Sequence, residues 1–244
     1  MTGPTTAMVL AAGLGTRMRP LTDDRPKALV DVGGKALIDH MLDRLAEVGV
    51  TRVVVNVHAF ADRLEAHLKG RRDLDVLISD ERGERLETGG GLKRARPLLG
   101  EAPILVANID SVWTEGATPA LRGLTRAWSP DRMDDLLLVV PLTASIGLDT
   151  PGDFFRDAEG RLTHRGAAPA APLAYMGAHM LKPQIIDAWP DGAHGIFPHW
   201  MAMAARGRLH GAVMDGFWMH VGDPAARAAA EAHLAAQSSG KKGR

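Results

Sequence analysis

The stretch TAMVLAAGLGTR, residues 6–17, predicts a buried β-strand that runs directly into a glycine turn. Residues 7–12 are all apolar, as is typical of strands that lie inside a parallel sheet. Gly13 and Gly15 follow at the carboxyl end of this strand, where open α/β sheets bind their ligands. Glycine lets backbone N–H groups approach a ligand closely, and Thr16 adds a hydroxyl, so the turn is suited to phosphate.

Outward from this turn, apolar runs alternate with helical patterns through the first half of the chain. Apolar residues recur at helical spacing from Leu37 to Val48, and Gly49 ends that helix. Strands are predicted over 52–57, 76–79, 104–108 and 136–140, and helices over 36–48, 60–68, 91–99 and 119–128. This alternation predicts an α/β fold with a doubly wound, mostly parallel, Rossmann-like sheet and right-handed crossovers.

The pattern changes after Pro141. Residues 143–172 are rich in Gly, Pro, Ala and Thr, and include a predicted hairpin of strands 154–156 and 162–164. Asp223 and Pro224 are typical of the N-cap and first turn of a final helix. Between these features, strands are predicted over 175–181, 211–214 and 217–221, and helices over 183–188 and 197–205. We predict one domain over 1–237, with halves at about 1–141 and 142–223, a helix over 224–237 and a flexible tail over 238–244.

Composition excludes several classes of protein. The 244 residues include 29 Lys+Arg and 29 Asp+Glu, and this neutrality argues against a protein that coats nucleic acid or an anionic membrane. The chain has no Cys, so disulfides, thiolate nucleophiles and Cys-based metal sites are excluded. Its longest apolar run, 136–142, is too short to span a membrane, and its first residues lack the pattern of a signal peptide. We therefore expect a cytoplasmic protein.

The glycine turn alone leaves alternatives open. A nicotinamide or flavin site is disfavoured, because Met18 replaces the third glycine of that motif and Asn56 stands where an acidic ribose ligand is expected. An ordinary strand-to-helix turn remains possible on the glycines alone. A basic cluster follows the turn and would complete a site for several phosphates; it comprises Arg17, Arg19, Arg25 and Lys27. Nearby aspartates could instead pair with these cations on a solvated face.

The longer stretch from Leu10 to His40 makes a resemblance specific. It resembles the signature of sugar-1-phosphate nucleotidyltransferases, a Gly-x-Gly-Thr-Arg turn followed by Pro-Leu-Thr and a Pro-Lys pair. The matching positions are Gly13, Gly15, Thr16, Arg17, Pro20, Leu21, Thr22, Pro26 and Lys27. The resemblance implies that Arg17 and Lys27 are the catalytic residues, with Arg17 on the triphosphate and Lys27 on the reacting phosphates. It also implies a nucleotide-binding first half and a small, β-rich sugar-binding second half.

A second glycine cluster, LETGGG at 86–91, lies between two predicted core strands, where a flexible linker is the less favoured alternative. This version resembles the N-acetylmuramate-1-phosphate uridylyltransferases of cell-wall sugar recycling. The resemblance implies that the loop lies against the nucleotide base. The nucleotide-binding residues it implies are Leu10, Ala12, Gly13, Gly15, Thr16, Glu87, Thr88, Gly89 and Gly90.

Asp110 ends the predicted strand 104–108, so its carboxylate is expected at the ligand edge of the sheet. Carboxylates there are natural ligands of hard cations, although a turn or N-cap role is the alternative. The resemblance implies that Asp110 binds Mg²⁺, or alternatively Mn²⁺. It further implies that Asn108, Gly152, Asp153 and Tyr175 contact the sugar. Asp153 has a plain turn role as its alternative.

The chain departs from the family pattern at the second metal position. Relatives place Asp in a Trp-x-Asp-Val-Gly frame, and here the frame is Trp218-Met219-His220-Val221-Gly222. Imidazole is a poorer Mg²⁺ ligand than carboxylate and suits Mn²⁺, Co²⁺ or Zn²⁺ better. Three interpretations remain open: His220 binds the metal, Asp215 or Asp223 replaces it, or metal binding is weakened. We favour His220 as the second metal ligand.

The resemblance implies transfer of a nucleotidyl group from an NTP to a sugar 1-phosphate. The substrates it favours are UTP and N-acetylmuramic acid 1-phosphate. The products are an NDP-sugar and pyrophosphate. Alternatives in the same class are mannose 1-phosphate with GTP and glucose 1-phosphate with UTP or dTTP. An alternative of another class is a catalytically weakened nucleotide sensor. The expected partners are the NTP and the sugar 1-phosphate, without nucleic acid or membrane, and the sequence predicts no particular oligomeric state.

Overall fold

The computed structural model describes residues 3–241, and its elements alternate in the first half as the sequence predicts. In chain order that half contains β1 (Thr6–Leu10), β2 (Asp31–Val32), β3 (Lys35–Ala36), α1 (Leu37–Glu47), β4 (Arg52–Val57), α2 (Ala61–Leu68), β5 (Asp75–Asp80), α3 (Glu87–Leu99), β6 (Ile104–Asn108), β7 (Ser111–Glu115), α4 (Ala120–Ala127) and β8 (Asp135–Pro141). The second half contains β9 (Ser145–Ile146), β10 (Phe154–Arg156), β11 (Leu162–His164), β12 (Leu173–Leu181), α5 (Phe197–Ala205), β13 (Leu209–Val213), β14 (Gly216–His220) and α6 (Pro224–Lys241).

The central sheet runs in the order β11-β10-β12-β6-β1-β4-β5, with β8 and β13 added beside β12. Strands β6, β1, β4 and β5 are parallel neighbours, so their carboxyl ends meet at one edge. The sheet becomes antiparallel where β12 pairs with β6 and β8. A smaller sheet, β7-β14-β9, stands beside this edge. The predicted doubly wound α/β fold is confirmed.

Two apolar cores cover the two faces of the sheet, because strands buried on both sides have inward residues on each face. Helices α1, α2 and α4 pack on one face through residues such as Leu42, Leu64 and Leu124. Helices α3 and α5 pack on the other face, through Leu92 and Trp200 among others. In the described part of the chain, no helix combines the length and apolar character of a membrane span.

Several predicted boundaries differ from the structure. Helix α3 begins at Glu87, not at 91, so the second glycine cluster forms its first turns and is not a loop. Helix α6 continues to Lys241, so the backbone of 238–241 is helical where a flexible tail was predicted; residues 242–244 lie outside the described residues. Residues 183–188 form a 3₁₀ helix. The predicted hairpin of 154–156 with 162–164 is confirmed.

Candidate active site

A cavity of about 500 Å³ lies at the shared carboxyl edge of β6, β1, β4 and β5. We call its two ends the Lys27 end, where Gly13, Gly15, Arg17, Lys27 and Asp110 lie, and the Glu87 end, where Asn56, Glu81, Arg85, Glu87 and Thr88 lie. The remaining lining residues are Leu10, Ala12, Leu14, Thr16, Asn108, Ile109 and Gly222. Because Asp110 follows β6 and Glu87 follows β5, the cavity spans the full width of the parallel strands.

The glycine turn at the Lys27 end exposes its backbone to the cavity. A side chain added at Gly13 would meet no atom within 4 Å, so this position is open. Gly15 has φ +65°, a left-handed conformation that favours glycine, and an added Cβ would lie 3.0 Å from the Cβ of Lys27. Thr22 fixes the turn by donating its hydroxyl to the Gly15 carbonyl at 2.8 Å.

Asn56 fixes the backbone that follows β1. Its side-chain oxygen accepts hydrogen bonds from the backbone N–H of Ala11 and Ala12, at 2.6 and 3.2 Å. Its amide nitrogen donates to Glu81 at 2.8 Å, and the backbone N–H of Leu86 donates to the other Glu81 oxygen. Burial raises the pKa of the Glu81 carboxyl, although these hydrogen bonds oppose the shift. This network ties β1, β4 and the start of α3 into one framework.

Lys27 and Asp110 form a direct ion pair at the Lys27 end, with Nζ 2.8 Å from Oδ2. The Lys27 side chain is only 9% exposed, whereas 22% of the Asp110 side chain reaches solvent in the cavity. Burial disfavours the charged carboxylate, but the attraction of Lys27, helped by His220, outweighs it and lowers the pKa of Asp110. The Asp110 carboxylate is therefore charged at neutral pH, and the ion pair fixes both side chains in place.

The small sheet brings His220 to Asp110, 110 residues apart in sequence. His220 of β14 is the register partner of Ser111 in β7, and the backbone N–H of Val221 donates to the Asp110 carbonyl. Burial lowers the pKa of His220, and the cations of Lys27 and Arg17 add to this effect against the opposing attraction of Asp110. The imidazole is thus neutral near pH 7, the form that can bind a metal. Among the described side chains, residues 3–237, and the backbone up to residue 241, its ring nitrogens have no hydrogen-bond partner.

The donors present fit a hard cation that completes its shell with water and substrate oxygens. Asp110 supplies a carboxylate and His220 a neutral imidazole, and Mg²⁺ sites often use one or two carboxylates plus substrate phosphates. Among the described side chains, no group of three His, Asp or Glu residues could hold a metal alone. The two aspartates that are alternative candidates for the second metal ligand already bind backbone groups. Asp215 accepts the N–H of Ala117, and Asp223 caps α6 by accepting the N–H of Ala226.

Arg17 and Arg85 line the cavity as exposed guanidinium groups. Over the described range of the chain, neither forms a hydrogen bond or an ion pair. A Cβ added at Gly222 would lie 3.8 Å from Nη1 of Arg17, so Arg17 stands between the glycine turn and the end of β14. At the Lys27 end, Arg17 and the Lys27 ammonium outnumber the single carboxylate of Asp110, and this local excess of positive charge attracts phosphates.

The second glycine cluster is glycine for a different reason from the one predicted. Gly89 and Gly90 are buried and do not line the cavity; their N–H groups both donate to the His194 carbonyl, at 2.9 and 3.0 Å. An added Cβ at Gly89 would lie 2.5 Å from the His194 ring, and at Gly90 2.3 Å from the Gly192 carbonyl oxygen. The cluster therefore makes room for loop 192–196, and nothing in the geometry supports direct nucleotide contact by these two glycines.

Glu87 has an unusual backbone at the Glu87 end. It begins α3 with φ +61°, a left-handed conformation that costs a non-glycine residue on the order of 1–3 kcal/mol. Contacts on both sides impose this conformation, because His194 donates its N–H to the Leu86 carbonyl and Ile196 donates to the Thr88 hydroxyl at 2.9 Å. Glu87 and Thr88 both line the cavity, as the predicted nucleotide site requires.

Of the four predicted sugar residues, only Asn108 lines this cavity. Gly152, with φ +89°, packs against the backbone of Ala171 and accepts a hydrogen bond from Arg165 at 3.0 Å. The Asp153 carboxylate accepts the N–H of Tyr175 at 2.9 Å, which fits its alternative role as a structural turn residue. Sugar contact by these residues stays a prediction.

Tyr175 packs edge-on against Trp200, with ring centroids 4.8 Å apart. Burial, and then the charges of Asp135 and Asp110, raise its pKa well above the ordinary value. Beneath it, the buried Asp135 carboxylate contacts His179 Nδ1 at 2.8 Å and accepts from Trp200 Nε1 at 2.9 Å. This network fixes Trp200, and Trp200 in turn positions the ring of Tyr175.

Sequence reasoning missed some residues that shape the cavity. In the sequence, Asn56 argues against a dinucleotide site, Gly222 belongs only to the frame of the second metal position, and Glu81 and Arg85 belong to no motif. A polar residue that ends an apolar strand, as Asn56 almost does, is a signal that could have been used. Glu81 gives no comparable signal, because only the tertiary structure buries it.

The profile of the MobA-like NTP transferase domain matches residues 7–142, which include most of the residues that line the cavity. The chain belongs to this nucleotidyltransferase family. A protein of Caulobacter vibrioides called N-acetylmuramate alpha-1-phosphate uridylyltransferase is 55% identical over 236 residues, 95% of this chain and 98% of the relative. A protein of the same name from Neisseria meningitidis is 34% identical, over 88% of this chain and 92% of the relative.

Solved structures of nucleotidyltransferases share the fold of this family member. UDP-glucose pyrophosphorylase complexed with UDP-glucose matches with a TM-score of 0.76 and 17% identity, over 96% of this chain and 99% of that one. The inositol-1-phosphate CTP transferase from T. maritima matches with a TM-score of 0.75 and 18% identity, over 92% and 91%. At these identities the likeness establishes the fold alone.

Proposed function

We propose that this nucleotidyltransferase transfers a uridylyl group from UTP to N-acetylmuramic acid 1-phosphate, forming the UDP-sugar and pyrophosphate. One observation carries the proposal: a single cavity joins a cationic, glycine-lined end with a more neutral end under α3. A nucleoside triphosphate has the same division into phosphates and base. The choice of substrates is supported by the 55% identical relative, which aligns over nearly its whole length.

The reaction is an in-line displacement. The phosphate oxygen of the sugar 1-phosphate attacks the α-phosphorus of UTP, the α–β phosphoanhydride bond breaks, and pyrophosphate leaves. A phosphate monoester has its second pKa near 6, so the attacking oxygen is already anionic at neutral pH. For this reason no side chain has to act as a general base.

The difficulty lies in gathering several anions and stabilising the charge that spreads over the phosphoryl oxygens. Positioning and fixed positive charge supply most of the catalysis in phosphoryl transfers. Lys27 suits this role because Asp110 holds its ammonium in place. Arg17 suits the departing pyrophosphate because its guanidinium opens to the cavity and has no protein partner among the described residues. The open backbone at Gly13 adds amide donors close to the same phosphates.

Asp110 and His220 are the residues that would hold a divalent cation, Mg²⁺ or Mn²⁺. When bound, such an ion supplies a further positive charge to the phosphate oxygens. The chain's own contribution is the neutral state of His220, set by burial, and the orientation of Asp110 by Lys27.

The proposed sugar acceptor also implies a metabolic setting for the enzyme. N-acetylmuramic acid 1-phosphate places the protein in cell-wall sugar recycling in the cytoplasm, where UTP is available. Mannose 1-phosphate with GTP is the second candidate, since mannose-1-phosphate guanyltransferases such as that of Neurospora crassa are 30% identical over 89% of this chain and 61% of the relative.

A matrix of nucleoside triphosphates against sugar 1-phosphates tests the proposal, with pyrophosphate release as the measurement. We expect the highest kcat/KM for UTP with N-acetylmuramic acid 1-phosphate. Higher values for GTP with mannose 1-phosphate would replace this assignment by the second candidate. Nucleotide binding without pyrophosphate release from any pair would favour the weakened sensor.

A further inference from the structure

A carboxylate and an imidazole are buried inside the apolar core beneath α5. Asp135 of β8 is fully buried between its strand partners Leu181 and Leu209, and His179 of β12 is 1% exposed. The Asp135 carboxylate contacts His179 Nδ1 at 2.8 Å and accepts the indole N–H of Trp200 at 2.9 Å. None of these three polar residues lines the cavity.

The stability of the fold does not account for this buried network. Moving a carboxylate into an apolar interior is costly, and replacing a buried ionic pair by apolar residues of similar volume is often neutral or stabilising. Burial accordingly raises the pKa of Asp135, although His179 and Trp200 oppose the shift. What the network supplies is direction, because a buried polar network with satisfied hydrogen bonds holds its side chains in one arrangement.

Two members of the network hold the ring of Tyr175. The Trp200 ring packs edge-on against it with centroids 4.8 Å apart, and the His179 ring lies edge-on to it at 5.9 Å. Among the described residues the Tyr175 hydroxyl has no hydrogen-bond partner, and it reaches solvent. A hydroxyl without a protein partner is ordinary at a surface, but the buried network gives this one a defined direction.

Tyr175 lies beside the part of the cavity that Asn108 lines. Its strand, β12, pairs with β6, and a bulge that follows Tyr175 contains Gly177 with φ +89°. A Cβ added at Gly177 would lie 3.4 Å from the Cβ of Asn108. Burial and neighbouring carboxylates, including that of Asp110, raise the pKa of Tyr175, so its hydroxyl keeps its proton and is able to donate.

We propose that Asp135, His179 and Trp200 are positioning residues for the sugar 1-phosphate, acting through the Tyr175 hydroxyl. The hydroxyl donates a hydrogen bond to an oxygen of this substrate, and the buried network fixes the direction of that bond. This inference rests on the proposed function for the type of reaction, but not for which sugar is attached to the phosphate. Damage to the network should therefore weaken binding of the sugar 1-phosphate and leave UTP binding unchanged.

Steady-state kinetics of Trp200→Phe test the inference. Phenylalanine keeps an aromatic ring but cannot donate to Asp135, and the loss of one hydrogen bond changes an equilibrium by about 3- to 10-fold. We expect the KM of N-acetylmuramic acid 1-phosphate to rise by this factor, while kcat and the KM of UTP stay within twofold of the wild type. Asp135→Asn keeps an oxygen that accepts from Trp200, so its KM should stay closer to the wild-type value.

Trp189→Phe is the matched control. Trp189 belongs to the same apolar core but stacks on His199, and in the described part of the chain it makes no ring contact with Tyr175. It should lower the melting temperature as Trp200→Phe does, without raising the KM of the sugar 1-phosphate. An equal rise in both variants, or a KM for Trp200→Phe within twofold of the wild type, overturns the inference.

Tyr175→Phe shows whether the network acts through this hydroxyl. Losing the hydroxyl itself should raise the KM of the sugar 1-phosphate at least as much as Trp200→Phe does. Adding Trp200→Phe to Tyr175→Phe should then change the KM by less than twofold, because effects that act through one group are not additive. Two independent increases that multiply would give Trp200 a purely structural role and contradict the inference.

Tyr175 is the only tyrosine of the chain, so it can also be observed without kinetics. Tyrosine labelled with ¹³C at the ring carbon that bears the hydroxyl gives one NMR signal. We expect this signal to shift when N-acetylmuramic acid 1-phosphate is added beside α,β-methylene-UTP, an analogue whose α–β bridge cannot be cleaved. In Trp200→Phe the same titration should saturate at about 3- to 10-fold higher concentration.

Failure of the proposed function gives a different pattern from failure of this inference. A signal that responds to N-acetylmuramic acid 1-phosphate, without pyrophosphate release when UTP replaces the analogue, removes the proposed reaction and keeps Tyr175 as a binding residue. If mannose or glucose 1-phosphate is the substrate that is turned over, the same variants are measured with that compound and the same fold-changes apply. A signal that responds to none of the three sugar 1-phosphates overturns the inference.

Discussion

Gly13 at the Lys27 end differs from Gly89–Gly91 near the Glu87 end in what surrounds its missing side chain. A Cβ at Gly13 would enter open space, while one at Gly90 would strike the Gly192 carbonyl oxygen at 2.3 Å and one at Gly91 would lie 2.9 Å from Glu81. Gly13 leaves room for a ligand, whereas the second cluster leaves room for the protein itself, as Gly15 also does beside Lys27. Similar glycine patterns therefore have different structural causes: the space beside the glycine is open in one case and filled by protein atoms in the other.

The two ends also differ in how their polar groups are satisfied. Arg17 and His220 at or beside the Lys27 end lack protein hydrogen-bond partners within the described residues, and the Lys27–Asp110 pair is partly open to the cavity. At the Glu87 end, Asn56 and Glu81 are buried and hydrogen-bonded to backbone groups. We expect substitutions at the Lys27 end to lower turnover more than stability. Substitutions of Asn56 or Glu81 should lower stability more than turnover.

The largest expected effect is that of Lys27→Ala on turnover. Removing a group that stabilises transition-state charge costs on the order of 10²-fold or more in rate. We expect at least this loss in kcat for pyrophosphate release, measured on protein whose circular dichroism matches the wild type. Lys35→Ala is the matched control, because Lys35 pairs with Asp43 on the surface outside the cavity. Near-normal turnover of Lys27→Ala would remove Lys27 from the catalytic residues.

His220→Ala should have the next largest effect. Changes to residues around a metal typically cost about 10- to 100-fold in affinity or activity. We expect a loss of this size at limiting Mg²⁺, partial recovery at high Mn²⁺, and a higher apparent Mg²⁺ affinity for His220→Asp than for His220→Ala. Titrating each metal against pyrophosphate release gives these values. Unchanged activity of His220→Ala under both metals would mean that imidazole plays no part in metal binding.

A pair of matched substitutions tests the contrast between the glycine clusters. Gly90→Ala should destabilise the fold by about 1–3 kcal/mol, as overpacking does, even though alanine is the better helix former by about 1 kcal/mol. Gly13→Ala should change the free energy of unfolding by less than about 0.5 kcal/mol while raising the KM of UTP. Urea denaturation and steady-state kinetics measure the two quantities. The contrast breaks down if both variants show the same pattern.

The smallest expected effect concerns pH. The folded-state pKa of Glu81 is raised by burial above its ordinary value of 4.5, so its stabilisation is complete below that value and is lost as pH rises through the raised pKa. Glu81→Gln removes this titration. We therefore expect the unfolding free energy of the wild type, relative to Glu81→Gln, to fall as pH rises from 4 toward neutral in urea titrations. A difference that stays constant with pH contradicts the assignment, and the exposed Glu84→Gln provides the baseline.

Local patterns in the sequence predicted much of the fold. The apolar spacing from Leu37 to Val48 and the predicted hairpin of 154–156 with 162–164 rest on short-range signals, and the structure has α1 and the β10–β11 hairpin at these positions. The start of α3 could not be predicted in this way, because three glycines are poor helix formers. Their helical conformation depends on hydrogen bonds to His194, more than 100 residues away.

The candidate site divides along the same line. The family resemblance predicts a common site for Lys27, Arg17 and the glycine turn, and the strand end predicts Asp110 at the same edge; the structure brings these residues together. The framework of Asn56 and Glu81 depends on the pairing of β4 with β5, and the approach of His220 depends on the pairing of β7 with β14. Such long-range pairings have no local signature in a single sequence.

Loop 192–196 has a practical consequence for re-engineering the acceptor. The loop belongs to the second half of the chain, yet its backbone is fastened to Leu86, Gly89 and Gly90 in the first half. A chimera that takes the second half from a relative with another sugar preference would therefore import a loop shaped for different residues at 86–90. A functional exchange therefore requires residues 86–90 and loop 192–196 to be taken from the same relative, because backbone hydrogen bonds join these two segments.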